Sequence, residues 1–163
     1  MYPMTQIISG TTRSYREKDF AITTDGAAWA ASQYVYGNLK ILQPYQNGQL
    51  FNYFEENSAL VRERFEYEGE KYNFGTAGKG FDLDEKAKNI ILDSRVSPLM
   101  APEEMLRNMP KTHIYAMEHD VLRDDAILFH QAAKKAGNQN IQLKRVNIFK
   151  TGFFTDLFLP FKP

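Results

Sequence analysis

The sequence contains no cysteine. That excludes disulfides, thiolate zinc sites and a cysteine nucleophile. It does not fix a compartment, because a chain without thiols suits oxidising and reducing surroundings alike. There is no excess charge of either sign: 20 basic and 20 acidic side chains cancel. Without a basic field to meet phosphate backbones, no nucleic-acid partner is expected. No apolar run approaches the ~18 residues that span a bilayer. Met1 to Gly10 has no cationic stretch ahead of an apolar core and does not read as a signal peptide. Internal repeats and low-complexity tracts are also missing. What is present is 163 residues, 43% hydrophobic and 25% charged, which is the size and balance of one globular domain.

Along the chain, residues 10–23 are polar and read as loop. A helix is expected from Thr24 or Asp25, with Ala28, Trp29, Ala31, Tyr34, Val35, Leu39 and Leu42 recurring at three- and four-residue steps. Gly37 should weaken it and Pro44 should end it. A short helix is expected at Gln49–Glu56. Residues 57–84 carry many charges and Gly69, Gly75, Gly78 and Gly80, and read as an irregular, partly mobile connection. Ser97-Pro98 to Ala101-Pro102 is a turn-rich entry to a short helix, Glu103–Asn108, which Pro110 stops.

The last third has the clearest pattern. Thr112 to Met117 is a β-leaning run and reads as a strand. A helix should follow from Leu122 to about Lys135, burying Leu122, Ala126, Phe129 and Ala133 by spacing. Asp124 and Asp125 fall in its first turn and Lys134 and Lys135 in its last, as the helix dipole favours. Gly137 is the expected stop. Ile141, Leu143 and Arg145 begin a second strand. Strand, helix, strand is one βαβ unit and implies a parallel sheet, hence an α/β class. Such a sheet needs both faces covered. Two or three strands make an incomplete one.

In open α/β sheets, ligands sit beyond the carboxyl ends of the strands. Asp120 is at that place. A carboxylate there can orient an imidazole and stabilise its protonated form, as the acid of a Ser-His-Asp triad does. A turn or helix-capping aspartate has the same sequence signature.

A resemblance bears on this choice. Asp93-Ser94-Arg95-Val96-Ser97-Pro98-Leu99-Met100-Ala101, Met109-Pro110, Glu118-His119-Asp120-Val121-Leu122-Arg123-Asp124-Asp125 and Ala136-Gly137 resemble the carboxyl-terminal part of hormone-sensitive-lipase-type α/β-hydrolases. The branch is that of arylacetamide deacetylase and neutral cholesterol ester hydrolase. Tyr2-Pro3-Met4-Thr5-Gln6 adds to the likeness. The resemblance implies the carboxyl-terminal portion of an α/β-hydrolase fold: an incomplete parallel sheet flanked by helices, with part of the helical cap. Residues 1–9 would be the end of a core strand, 10–90 cap-like helices and irregular connection, and 91–163 the core segment. It implies carboxylesterase or lipase chemistry on an ester or lipid-like small molecule, with no cofactor and no metal. Asp120 matches the family's triad acid. Asp124 and Asp125 match acids at the helix start, read as structural.

The departures from the family are equally specific. Its nucleophile is the serine of a Gly-Asp-Ser-Ala-Gly elbow, preceded by a His-Gly-Gly oxyanion loop; the sequence has neither. Its histidine should follow the motif aspartate by about thirty residues. Here, aligning on the glycine puts Thr151 in that place and aligning on Gly-Phe puts Phe154 there. Neither accepts a proton near neutral pH as imidazole does. A His113/His119/Asp120 metal site has no further ligand spacing behind it, and His130 reads as an ordinary helix residue. Trp29, Tyr34 and Tyr36 would either line an acyl pocket in the cap or belong to a helix core. Five phenylalanines and two leucines from Phe149 to Pro163 form either a buried tail or a sticky patch. The expectation is a truncated or degenerate member of the serine carboxylesterase/lipase family, inactive alone. The alternative is a non-catalytic ligand- or partner-binding protein of the same lineage. Relatives are often anchored at the endoplasmic reticulum by an amino-terminal segment that this sequence does not show. Compartment and oligomeric state are left open.

Overall fold

A computed structural model describes residues 8, 24–37, 40–67, 70–71, 83–118, 120 and 122–146. The expected strand end at 1–9, apart from Ile8, and the expected loop at 10–23 fall outside these residues. So do His119, Thr151, Phe154 and the aromatic tail.

Helix α1, Thr24–Tyr36, buries Ala28, Ser32 and Val35, one stripe at four- and three-residue steps. It stops earlier than the periodicity suggests. Gly37 takes φ 64°, in the left-handed region that glycine tolerates, and its N–H bonds Gln33 O at 2.8 Å. The chain restarts as α2, Leu42–Gln46, with Pro44 at its third position. First-turn N–H groups have no intrahelical acceptor, so proline is harmless there and does not end a helix as expected. Helix α3, Gln49–Asn57, buries Leu50, Phe51 and Phe54. Of the connection expected at 57–84, residues 68–69 and 72–82 lie outside the described residues; the described part holds a helix and a short strand pair. Ser58 caps α4, Ala59–Arg64, by accepting from Val61 N–H. A two-residue antiparallel pair then follows, β1 (Glu66–Tyr67) with β2 (Glu70–Lys71). Phe65, just past α4, packs edge-on against Phe51 with ring centroids 5.0 Å apart.

Helix α5, Glu85–Leu92, is capped by Asp84, whose carboxylate accepts from Ala87 N–H at 2.8 Å. It inserts Ala87 and Ile91 into the core. A 3₁₀ turn at Pro98–Met100 and helix α6, Glu103–Arg107, lead to the βαβ unit. Strand β3 (Thr112–Met117) and β4 (Ile141–Val146) pair in parallel, Thr112 opposite Ile141 through Met117 opposite Val146. Between them α7, Arg123–Lys135, buries Ala126, Phe129 and Ala133, as the spacing predicts, and Leu122 just ahead of it is buried too. Gly137, at φ 92°, ends it. Its N–H bonds Lys134 O and Asn138 N–H bonds Ala133 O, the paired closure of a Schellman turn. This is a small parallel sheet with helices packed on it.

Two side chains lock this unit to the helix before it. Arg107 Nε donates to Ala136 O at 2.8 Å, and Asn138 Nδ2 donates to Leu106 O at 2.8 Å. Asn138 Oδ1 also accepts from Asn140 N–H, and Asn140 O accepts from Thr112 N–H at the start of β3. The register of β3 against α7 is thus fixed by polar groups at one end. Ile114 and Ala116 fix it by burial along the strand.

Candidate active site

The opposite end of β3 holds Asp120. The strand hands over to a turn in which Asp120 N–H bonds Met117 O and Arg123 N–H bonds Asp120 O. Glu118 N–H still bonds Val146 O, so both strands reach this point together. Asp120 Oδ1 accepts from Leu122 N–H at 2.7 Å. That is the local turn bond aspartate favours, a side-chain oxygen taking the N–H two residues on. The structural reading of this aspartate is therefore visible in the geometry, but it occupies only one oxygen. Among the described residues Oδ2 has no partner.

The side chain is nearly enclosed, with 6% of the residue exposed. Burial raises its pKa above the ordinary carboxylate value, and the Leu122 N–H opposes this only in part. The crevice at Asp120, walled by Met117, Leu122 and Arg123, has no room for a water-sized sphere.

Arg123 closes one side. Its Nη1 donates to Glu118 Oε1 at 2.7 Å and its Nε to Asp124 Oδ1 at 2.9 Å. Burial disfavours its charge, yet Asp124 and Glu118 outweigh that and hold its pKa up. Asp124 and Asp125 are 1% and 0% exposed. They lie in the first turn of α7, as the sequence suggests, and they point into the protein, Asp124 as half of an ion pair with Arg123.

Among the described residues the remaining sequence candidates do not converge here. His113 is exposed on β3. His130 is half-buried on α7, its pKa lowered by burial and by Lys134. Among the described residues no three His, Asp or Glu side chains come together as a metal would need. Trp29 and Tyr34 are 56% and 67% exposed, so the helix-core reading of them fails. Their stripe on α1 is taken by the smaller Ala28, Ser32 and Val35. The side chain of Tyr36 is outside the described set.

Residues 80–152 match the alpha/beta hydrolase fold family. Arylacetamide deacetylase of Oryctolagus cuniculus is 30% identical over 149 residues, which is 85% of this chain and 36% of that protein. The Bos taurus arylacetamide deacetylase is 36% identical over 98 residues, 60% of this chain and 24% of that protein. Neutral cholesterol ester hydrolase 1 of Bos taurus is 49% identical over 47 residues, 29% of this chain and 12% of that protein. The chain thus spans about a third or less of the length of these relatives. No solved structure matches. The strand–turn–helix around Asp120 lies inside the segment that matches the alpha/beta hydrolase fold family, and this match and the relatives together support a hormone-sensitive-lipase-type α/β-hydrolase.

Proposed function

We propose that residues 91–163 are the core segment of a carboxylic ester hydrolase, with 10–90 as cap-like helices and irregular connection, and that Asp120 is its triad acid. The observation that carries this is one carboxylate at a strand tip, almost enclosed, with one oxygen tied to the turn and the other uncommitted among the described residues. In a triad the acid accepts from imidazole Nδ1–H and so fixes the tautomer that leaves Nε2 free to take the nucleophile's proton. Oδ1 bound to Leu122 N–H holds the carboxylate plane, and Oδ2 is the atom for the imidazole. A carboxylate already desolvated gains more from a positive neighbour than one in water. It therefore favours the imidazolium that forms as the ester carbonyl is attacked.

These 163 residues by themselves are proposed to be catalytically silent. They hold no Gly-x-Ser-x-Gly elbow and no His-Gly-Gly loop, and Thr151 or Phe154 stands where the family's histidine is expected. An acid alone supplies neither the attacking oxygen nor the proton shuttle nor the oxyanion donors. The substrate of the parent activity is an ester or amide with an apolar body, a class that includes what the relatives' names describe. The test is hydrolysis of p-nitrophenyl acetate and butyrate by the purified chain. No release above buffer is expected. Turnover that vanishes in Asp120→Asn would overturn the silent reading.

A further inference from the structure

A cleft of 340 Å³ opens between α4 and the C-terminal half of α7, lined by Glu63, Arg64, Glu66, Leu128, Gln131 and Lys135 among others. Its volume is in the range of small-molecule sites. The unusual member is Arg64, only 4% exposed. A buried guanidinium normally brings a carboxylate with it, because an unpaired charge in a low-dielectric surrounding is costly. Arg64 has none among the described residues. Nη2 reaches Ala101 O at 3.5 Å, the limit of hydrogen bonding, and Nε is sealed from solvent with no acceptor. The neighbouring charges do not supply what is missing. Glu63 is taken by Lys135 at 3.1 Å, and Glu66 is exposed.

We infer that this cleft binds a small organic carboxylate, with the Arg64 guanidinium as its counter-charge and Leu128 and Ala132 as the wall for its apolar part. The planar fork of arginine matches a carboxylate in two parallel hydrogen bonds. A monoanion is preferred to phosphate because one negative charge pairs with Arg64, while a second would face Glu66 with Lys135 already engaged by Glu63. The apolar wall selects a short alkyl or aryl acid over an inorganic anion. The inference does not depend on the role of Asp120.

The test is an NMR titration of the ¹⁵N-labelled full chain with sodium butyrate at fixed ionic strength, with inorganic phosphate and chloride in parallel. Butyrate should move the amides of residues 63–66 and 128–135 saturably, and phosphate should bind at least tenfold more weakly. Arg64→Lys, which keeps the charge but loses the fork, should weaken butyrate at least tenfold. Arg64→Met, if folded, should abolish binding. Asp120→Asn should leave the titration unchanged, which separates failure here from failure of the triad assignment. Absence of saturable shifts in the wild type, or butyrate binding that survives Arg64→Lys unaltered, would overturn the inference. Phosphate binding as tight as butyrate would overturn the carboxylate class.

Discussion

Residues 24–67 and residues 92–146 are both well packed, yet they are held together by different means. The first region relies on apolar contact: Ile41, Tyr45, Leu50, Phe51, Phe54, Val61 and Phe65 are all buried. Its long-range polar ties include Gln46 to Asp25, between exposed side chains, and the 3.5 Å contact of Arg64 with Ala101 O. The second adds side-chain bonds that reach across the fold, Arg107 to Ala136 and Asn138 to Leu106, and buries Asp120, Asp124 and Asp125 in the same unit. Apolar packing is non-directional and tolerates small slips. Hydrogen bonds in a buried setting do not, since a missed partner leaves a desolvated group. The proposed triad acid, Asp120, lies in the unit that is tied by the second kind.

The comparison can be pushed at four positions. Ile114→Ala removes a fully buried side chain from β3 and should cost about 2–5 kcal/mol by urea unfolding. It should also loosen α7, measurable as faster amide exchange there. Asn138→Ala should cost about 2 kcal/mol, because Leu106 O and Asn140 N–H lose buried partners. A loss as small as at a surface site would show that the polar ties are decoration.

Asp120→Asn should change stability in the opposite direction. Burial raises the folded-state pKa of Asp120 above its unfolded value. The folded state then binds more protons than the unfolded state between those two values, so stability falls as pH rises through that window. Asparagine keeps the oxygen for Leu122 N–H without the charge. The variant should melt higher than wild type at neutral pH, with the gap closing as pH falls to the ordinary carboxylate value of 3.8 and below. A variant that melts lower at pH 7 would mean the carboxylate is there for stability. Trp29→Ala, on the exposed face of α1, should shift stability by no more than about 0.5 kcal/mol. A larger loss would show that this face is covered in the folded chain.

The same division explains what could be read from the sequence. Strand β3, helix α7 with its Gly137 stop, and the parallel partner β4 follow from periodicity and end signals, because each is long enough to show a period. Helices α4 and α5 do not. With six and eight residues and two buried positions each, they show no usable stripe. The signal was in their caps, Ser58 and Asp84, each with its N–H partner three residues on. The end of α1 turned on whether Gly37 or Pro44 would act as the breaker, and backbone conformation rather than composition decides that. The place of Asp120 at a strand tip was legible from the β-leaning run before it. The inward turn of Asp124 and Asp125 was not, because a first-turn acid looks the same whether it faces solvent or core. Arg64 gave no signal at all, since its isolation is a property of α4, Ala101 and α7 together.

The most direct measurement of the central claim is a graft. Residues 92–137 replace the aligned segment of the rabbit arylacetamide deacetylase, and ester hydrolysis is measured with and without Asp120→Asn. The account predicts an active chimera whose kcat falls by roughly 10³–10⁴-fold in the Asn variant, with KM little changed, as loss of a triad acid does. A folded chimera that is inactive with Asp120 present, or an Asn variant within tenfold of its parent, would contradict it.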